Sequence, residues 1–450
     1  MQTASKKVLN GWAMFDWANS VYALVITSTI FPAYYEAITK QRVDENNTAY
    51  VTFLGREFVN TSLYNYALSI AFLIVALISP LLSSIADYRG NKKSFMNFFL
   101  TMGSLACLSL FFLNTTDGKI SSGVSNLGLG LLCVIIACVG YWGSVVYYNS
   151  FLPEIAAPED RDRLSAKGFS YGYVGSVVLQ VICLVLVFFP GLVGGSDAEG
   201  ATTTIQFRTG FLLVGIWWWG FGQFALSRLP RSEPAGDPTK KHLLSNGYKE
   251  LRKVWGQLSS LPVLKRFLFS FFFFNMGVQT IMLSAALFGK GELDIPSNNL
   301  IIAILLVQLL AVPGAFIISK LSAYAGNLRT LMLCVILWVG ICIYGYTIPR
   351  GDITQFYLIA SIIGFVMGGT QSLSRSTYSK LMPVTKDTAS FFSFYDVTEK
   401  IALVVGLFLF GFLTEFTGSQ RASVLALMTL FIIGFFLLLY TRSTQKKIIL

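Results

Sequence analysis

About twelve long apolar stretches, separated by short polar segments, run from Asn10 to Tyr440 in this 450-residue chain. A helix needs roughly 20 mostly apolar residues to cross a hydrocarbon core of about 30 Å, and these stretches reach that length. Inside a bilayer every backbone polar group must be satisfied within the protein, which favours helices. The stretches leave no room for a soluble catalytic domain. The sequence therefore predicts an all-α membrane protein with twelve transmembrane helices.

The distribution of basic residues predicts the orientation of these helices. The chain has a net charge of +11, and most of its Lys and Arg fall in the segments that share one side with the two termini. An excess of Lys and Arg in cytoplasmic loops is the usual bias of membrane proteins. We therefore expect both termini in the cytoplasm, and we attribute the basic charge to topology rather than to a nucleic-acid partner.

Several classes of function are disfavoured by what the chain contains. The single histidine, His242, lies in a basic loop, and the six cysteines lie inside apolar stretches. This pattern predicts buried thiols and neither a metal site nor a cofactor. No phosphate-binding loop of the form Gly-x-x-x-x-Gly-Lys-[Ser/Thr] occurs, so we expect no nucleotide-driven motor. A membrane-embedded lipid-modifying enzyme is the least favoured alternative.

The longest polar segment divides the chain into two sets of six stretches. It predicts an N-terminal bundle over residues 1–227, a cytoplasmic linker over 228–266 and a C-terminal bundle over 267–450. Within the linker, residues 249–255 could form an amphipathic helix on the inner leaflet or remain a solvated connection.

A weak internal repeat indicates that the two halves are related. Residues 86–96 match 322–332, with Tyr, Gly, Asn and Met coinciding and Ala323 standing where the first copy has Asp87. A Leu-Pro pair after the fourth stretch recurs as Met-Pro after the tenth. Two matches in phase with the helices favour a duplicated six-helix unit and two pseudo-symmetric bundles. Repeats that flank a site at the membrane midplane are typical of carriers with alternating access.

The loop after the second stretch carries a short signature of Asp87, Gly90, Lys92 and Lys93, preceded by Ser83. It resembles the loop signature of the major facilitator superfamily, except that the family pattern usually begins with Gly. Three further segments resemble the vacuole-effluxer, autophagy-related branch of that superfamily: 11–20, 148–156 and 368–376. The resemblance implies a transporter of the major facilitator fold, a monomer, and an amino acid as substrate. It also implies that the first, fourth, seventh and tenth helices line a central cavity.

Ionisable groups inside a transmembrane helix are costly unless they are paired or face water, so each one is a functional candidate. On the first helix a narrow polar stripe contains Asp16, Asn19 and Thr27, and such a stripe should face a cavity. Asp16 could bind a substrate amine or carry a coupling proton. Alternatively, it could form a permanent salt bridge that closes the inner gate.

On the tenth helix, Gly364, Gly368, Gln371 and Arg375 share one face. Arg375 presents a fixed, always-charged guanidinium that suits a carboxylate or a phosphate. That partner could belong to the substrate or be Asp16 itself. With polar residues of the fourth and seventh helices, the candidate substrate-binding residues are Asp16, Asn19, Tyr148, Asn149, Asn275, Gln279, Gln371 and Arg375. The neutral amides could instead be hydrogen bonds between helices.

The eleventh helix holds Asp396, Glu399 and Lys400 within one turn. Asp396 and Lys400 can neutralise each other at a spacing of four residues, and we place this pair among the gating residues. Glu399 is then left over, which makes it a second candidate for proton coupling beside Asp16.

The loop with Asp87, Gly90, Lys92 and Lys93 is predicted to be a conformational latch. A carboxylate at a helix end can accept backbone N–H groups from the start of a neighbouring helix. It could also pair with Arg89 or Lys93. On the fifth helix, three glycines at 168, 172 and 175 predict a smooth face for close helix packing.

The interpretation that these features favour is a secondary transporter that moves a small polar metabolite by alternating access, with proton coupling as a hypothesis. A uniporter or a channel-like facilitator is the alternative. We expect the cell membrane as its location in a prokaryote and the vacuolar membrane in a fungus, with the substrate and the lipid bilayer as its partners.

Overall fold

The computed structural model describes residues 2–44, 49–120, 123–196, 203–236 and 243–449. Within these ranges twelve helical spans are long and apolar enough to cross a membrane. His242, the linker residue noted above, lies outside the described residues. The two halves form an all-α membrane architecture of two pseudo-symmetric six-helix bundles, as the sequence predicts.

The first half contains seven α-helices, of which the first two belong to one span joined by a π-helical segment. They are α1 (Lys6–Val21), α2 (Ile30–Ile38), α3 (Asn60–Arg89), α4 (Lys92–Ser109), α5 (Leu127–Ile155), α6 (Arg161–Phe188) and α7 (Ile205–Arg228). The linker contributes α8 (Leu243–Ser260). The second half contains α9 (Pro262–Gly291), α10 (Ser297–Ala325), α11 (Asn327–Thr347), α12 (Ile353–Leu381), α13 (Thr388–Thr417) and α14 (Gln420–Ile449).

Most of these helices are longer than their apolar stretches. The first span begins at Lys6 rather than near Asn10, and the seventh begins at Pro262 inside the predicted linker. Proline at the first helical position is favourable because its missing N–H would have no partner there. Polar helix ends that extend beyond the hydrocarbon are invisible to hydropathy, which explains the difference.

The loops on the side opposite the termini contain strand structure that the sequence did not suggest. Three strands, β1 (Arg42–Val43), β2 (Ala49–Phe53) and β3 (Arg56–Val59), form an antiparallel sheet between the first two spans. Two more, β4 (Asn114–Thr115) and β5 (Val124–Ser125), pair after α4.

The middle of the first span is irregular. Residues Tyr22–Thr29 form a π-helical segment, in which the hydroxyl of Thr29 donates to the carbonyl of Leu24. Such segments are rare and occur mostly at functional sites. Pro32, which follows, has no N–H for the helix ladder. The irregularity lies on the helix that carries the predicted polar stripe.

The two halves meet through a small number of helices. In the first half, α3, α5 and α6 provide the contact surface, and in the second half α10, α12 and α13 do so. Each half also has its own main apolar core, to which the other half adds a few side chains: Ala389 in the first core, and Val146 and Tyr173 in the second. Contacts between two separately packed bundles are the arrangement expected where one bundle rocks against the other.

Candidate functional site

The predicted latch around Asp87 lies at the end of the bundle that carries both termini, called here the termini side. α13 begins with Thr388, and the residue before it, Asp387, makes no capping bond to the first N–H groups. Asp87 of the other half supplies that cap. Its carboxylate accepts the backbone N–H of Ala389 at 3.2 Å and of Ser390 at 2.7 Å, and the hydroxyl of Ser390 at 2.6 Å. A carboxylate is stabilising at this positive end of a helix.

A buried lysine completes this latch. Lys92 Nζ lies 2.9 Å from Asp87 Oδ1 and also pairs with Glu154. It donates to the hydroxyl of Thr388 at 2.6 Å, so it bridges the two halves. The cation beside Asp87 is therefore Lys92 rather than Arg89 or Lys93. Lys93 donates to the carbonyl of Leu229 instead.

Gly90 is required by the geometry of the same loop. It ends α3 in the left-handed conformation at φ +66°, which glycine adopts without strain. A Cβ at this position would lie 2.6 Å from the backbone nitrogen of Pro234, because the linker crosses directly over it. The linker also bonds to the last turn of α3, since the N–H of Ala235 donates to the carbonyl of Asp87.

A second latch lies at the position that the internal repeat relates to the first one. Here the helix that corresponds to α3 has no carboxylate, and the opposite half supplies one. Ala323, in the last turn of α10, stands where the last turn of α3 has Asp87, so α10 has no carboxylate at this position. Asp162, in the first turn of α6, provides the carboxylate from the opposite side. It accepts from Ser322 at 2.8 Å, from Asn327 at 2.8 Å and from Lys380 at 2.6 Å.

Asp16 and Arg375 form an ion pair between the halves, deeper in the membrane than the two latches. Arg375 Nη1 lies 3.4 Å from Asp16 Oδ2, and Tyr148 donates to the same oxygen at 2.6 Å. Asp16 is 9% exposed and Arg375 3%. Arg375 also donates to the side chain of Asn149 at 3.2 Å. In this conformation these four candidate substrate-binding residues contact one another, and the pair closes the space between the bundles.

Further contacts hold the guanidinium of Arg375 in place. It donates to the hydroxyl of Ser165 at 3.0 Å and to its carbonyl at 2.9 Å. It also lies over the rings of Phe169 and Trp12, at 4.1 and 4.9 Å from their centroids. Arginine is suited to such combined stacking and forked hydrogen bonding. One turn further in, Tyr173 donates to Gln371 at 2.8 Å, which is another bond between the halves.

A set of polar side chains lies near the middle of the spans, called here the midplane, farther from the termini side than this ion pair. Gln279 of α9 donates to Glu399 of α13 at 2.8 Å. Asn275, one turn from Gln279, is buried, and its amide nitrogen has no hydrogen-bond partner among the described residues. An unpaired amide in such a place costs free energy and marks a position where water or a ligand would be favourable. Asn19 contributes from the first span, 3.5 Å from the hydroxyl of Ser144.

Lys400 forms the predicted pair with Asp396 and is buried. Its ammonium lies 4.1 Å from the centroid of Trp142 in α5, so α13 contacts the other half here as well. A cation over an indole ring is attracted by the negative face of the ring. Glu399, next along the helix, is partly exposed and has only the neutral amide of Gln279 as hydrogen-bond partner among the described residues.

The polar stripe of the first span continues toward the side opposite the termini. Ser28 is exposed and Thr27 partly exposed, whereas Leu24 and Val25 are buried against the same half. The hydrogen bonds described above that join the halves all lie at or below the midplane, toward the termini side. The structure is therefore closed on the termini side.

The predicted glycine faces provide close helix packing. Cβ atoms at Gly364 and Gly368 would lie 2.2 and 2.1 Å from carbonyl oxygens of α10, so the two backbones touch. In α6, Gly172 lies against the hydroxyl of Ser20, and Gly175 against the carbonyl of Trp17. The first glycine surface packs α12 against α10, and the second packs α6 against α1.

Sequence reasoning missed four charged residues that join the halves: Glu154, Arg161, Asp162 and Lys380. Arg161 donates to the carbonyl of Ser379 at 2.7 Å. All four lie at the ends of spans, where charged residues are common and draw no attention. One signal was available in the sequence. Three of the four, all except Lys380, lie at the turn that joins the fourth span to the fifth in the first half.

Two gated bundles around a polar midplane define the class of this protein, which is a major facilitator transporter. The chain belongs to the family described as "Vacuole effluxer Atg22 like", whose profile matches residues 4–448. It is 27% identical to an uncharacterised MFS-type transporter, YxiO, of Bacillus subtilis, over 96% of this chain and 94% of that protein. Autophagy-related protein 22 of Saccharomyces cerevisiae is 25% identical over 92% and 88% of the two chains.

Solved structures share the fold at low sequence identity. The transporter FucP in its outward conformation aligns with a TM-score of 0.66 at 13% identity, over 97% of this chain and 98% of that one. The proton:xylose symporter XylE aligns with a TM-score of 0.68 at 11% identity, over 96% and 94% of the two chains.

Proposed function

We propose that this protein is a secondary carrier that moves a small polar metabolite, of the amino-acid class, by alternating access. The termini side is taken as the cytoplasmic side because of its excess of Lys and Arg. The protein then works as a monomer, in the cell membrane of a prokaryote or the vacuolar membrane of a fungus. The conformation described here is the state closed to the cytoplasm.

The observation that carries this proposal is the polar set at the midplane, placed directly beyond the ion pair of Asp16 and Arg375. Ionisable and amide groups in a membrane are tolerated where they bind substrate or water. Here Glu399 offers an anion, and the amide nitrogen of Asn275 is a donor that has no partner among the described residues. When the bundles rock, the ion pair separates and this set becomes accessible from the cytoplasm.

The chemistry of the set favours a substrate with both an amine and a carboxylate. An ammonium group could replace the contact between Gln279 and Glu399. A carboxylate could accept from the free amide of Asn275 and from Arg375 once Asp16 has moved away. All four of these side chains belong to the second half, so the substrate would be held by that half and would take the place of Asp16, from the first half, at Arg375.

Glu399 is the better candidate for proton coupling. Asp16 is bound to the cation of Arg375 and to the hydroxyl of Tyr148. Glu399 is hydrogen-bonded to a neutral amide, which can bond to the carboxyl group in either of its protonation states. The amide of Gln279 donates to an ionised carboxylate and, after rotation, its oxygen can accept from a protonated one. A proton and a substrate ammonium group would compete for the same carboxylate.

Proteoliposomes containing the purified protein test this proposal with a panel of labelled amino acids. A carrier gives saturable uptake and counterflow, in which an unlabelled internal amino acid accelerates entry of the labelled one. A channel-like facilitator shows no counterflow. Absence of transport for every member of the panel would contradict the amino-acid class.

Glu399→Gln tests the coupling group. We expect the variant to lose uptake driven by a pH gradient and to keep counterflow at a higher substrate concentration, because the amide still accepts a hydrogen bond from the substrate ammonium group but carries no charge. Glu415→Gln is the matched control, because Glu415 is an exposed carboxylate near the far end of the same helix. Equal pH-driven uptake by both variants would eliminate Glu399 as the coupling group.

A further inference from the structure

The linker helix α8 has two faces of different character. Its buried face carries Val254 and Leu258. Its opposite face carries two aromatic and two basic side chains, all exposed: Tyr248, Lys249, Arg252 and Trp255. Tyr248 is 62% exposed and Trp255 59%.

The packing of α8 places it at the edge of the bilayer. A Cβ at Gly247 would lie 2.6 Å from Cγ1 of Ile85, four residues before the end of α3. The rings of Trp255 and Phe394 lie 5.4 Å apart, six residues into α13. At 1.5 Å per residue these contacts lie about 6 and 9 Å from the helix ends. The helix therefore lies beside the bundle near the termini-side ends of α3 and α13, the level at which we place the lipid headgroups.

The basic residues of the exposed face are free to bind an anion. Among the described residues neither Lys249 nor Arg252 has a hydrogen-bond or ion-pair partner. Lys253, by contrast, is engaged with Glu250 and lies 3.1 Å from Asp387. Partial burial acts to lower the pKa of Lys253, but the bonds to the two carboxylates outweigh it and raise the pKa above its ordinary value.

We propose that the exposed face of α8 binds anionic phospholipid headgroups in the leaflet on the termini side. Lys249 and Arg252 contact the phosphates, while Tyr248 and Trp255 lie at the boundary between headgroups and acyl chains. Tryptophan and tyrosine are enriched at this boundary. A basic amphipathic helix with aromatic residues has the composition of an interfacial helix.

Lipid bound in this way would act on the latch. α8 contacts α3 through Gly247 and α13 through Trp255, and Lys253 pairs with Asp387 beside the start of α13. It therefore spans the seam that Asp87 closes. A lipid surface that holds α8 in place favours the state closed on the termini side.

Titration of the purified protein with phosphatidylglycerol, followed by native mass spectrometry, tests the binding. The variant is Lys249→Gln/Arg252→Gln, which leaves the buried face of α8 unchanged. Each basic residue near an anionic surface raises the binding affinity about fivefold. Loss of two such residues should therefore weaken phosphatidylglycerol binding roughly 30-fold. Phosphatidylcholine should bind weakly and equally to both proteins.

Lys6→Gln/Lys7→Gln is the matched control. These two lysines are exposed on the same side of the membrane, at the start of α1, and their removal changes the net charge by the same amount. We expect the affinity of this control variant for phosphatidylglycerol to fall by roughly threefold or less. An equal loss in the two double variants would show that general surface charge attracts the lipid, and it would overturn the proposal.

The effect on the latch has its own readout. Cysteines introduced at Ser84 and Ser390, whose hydroxyl oxygens lie 3.1 Å apart, should form a cross-link faster in phosphatidylglycerol bilayers than in phosphatidylcholine. The α8 double variant should abolish the difference. Equal rates for the unaltered α8 in both lipids would contradict the coupling between lipid and latch.

Discussion

Asp87→Asn is the sharpest perturbation of the latch between α3 and α13. The carboxylate of Asp87 is fully buried and accepts three hydrogen bonds from Ala389 and Ser390. It also forms an ion pair with Lys92. The amide of asparagine keeps the size of the side chain but offers one accepting oxygen and no charge. The start of α13 then loses most of its cap, and Lys92 loses one of its two anions.

The magnitude follows from these contacts. The ion pair with Lys92 lies within the first half, so its loss affects the open and closed states alike. The three hydrogen bonds to Ala389 and Ser390 cross between the halves and exist only in the closed state. A hydrogen bond to a charged group contributes about 1.5–3 kcal/mol. The single accepting oxygen of asparagine keeps one of the three, so the loss of the other two costs the closed state about 3 kcal/mol. The equilibrium should shift toward the open state by roughly 100-fold.

Spin labels at Arg89 and Val384 measure this shift. Both positions are exposed, and they lie in opposite halves beside the latch. In a chain whose buried cysteines are replaced by alanine, the distance distribution should show one short component, and Asp87→Asn should add a longer one. Asp294→Asn is the control, because Asp294 is exposed at a positive φ that asparagine tolerates. An unchanged distribution in Asp87→Asn would refute the reasoning.

Three further substitutions test neighbouring contacts. Gly368→Ala should lower the free energy of unfolding by about 1–3 kcal/mol, since its Cβ would meet a carbonyl of α10. Thermal denaturation in detergent checks this, and the control Gly411→Ala, at an open position in α13, should not lower the free energy of unfolding. Arg375→Lys keeps the charge but loses the forked contacts, so we expect the closed state to be about tenfold less favoured, measured with the same spin labels. Asp162→Asn should have a smaller effect than Asp87→Asn, because the side chain of its partner Lys380 is 23% exposed and can be solvated; an equal effect would contradict this ranking.

The fold was largely predictable from the sequence because each span carries its own hydropathy signal. The repeat around Asp87 also indicated two related halves. The ends of the helices were predicted least well, because a polar first turn such as the one that begins at Lys6 gives no hydropathy signal. The strands between the first two spans were missed because their pairing depends on loop geometry.

The candidate site was predictable in its residue types but not in its partners. The face shared by Gln371 and Arg375 followed from helical spacing, and so did the pairing of Asp396 with Lys400. Which residue of one half meets which residue of the other depends on the packing of two separate bundles. No periodicity within one helix reports that Asp162 replaces the acid missing at Ala323, or that Lys92 rather than Lys93 meets Asp87.

We expect transport to require opening and closing of the seam between the two halves on the termini side. Cysteines at Ser84 and Ser390, one in each half, cross-link that seam directly. Oxidation should abolish transport, and a reductant should restore it. The control pair, Thr414 and Ser423, has hydroxyl oxygens 2.8 Å apart within the second half; its cross-link should leave transport intact. Full transport by the cross-linked pair of Ser84 and Ser390 would contradict the account.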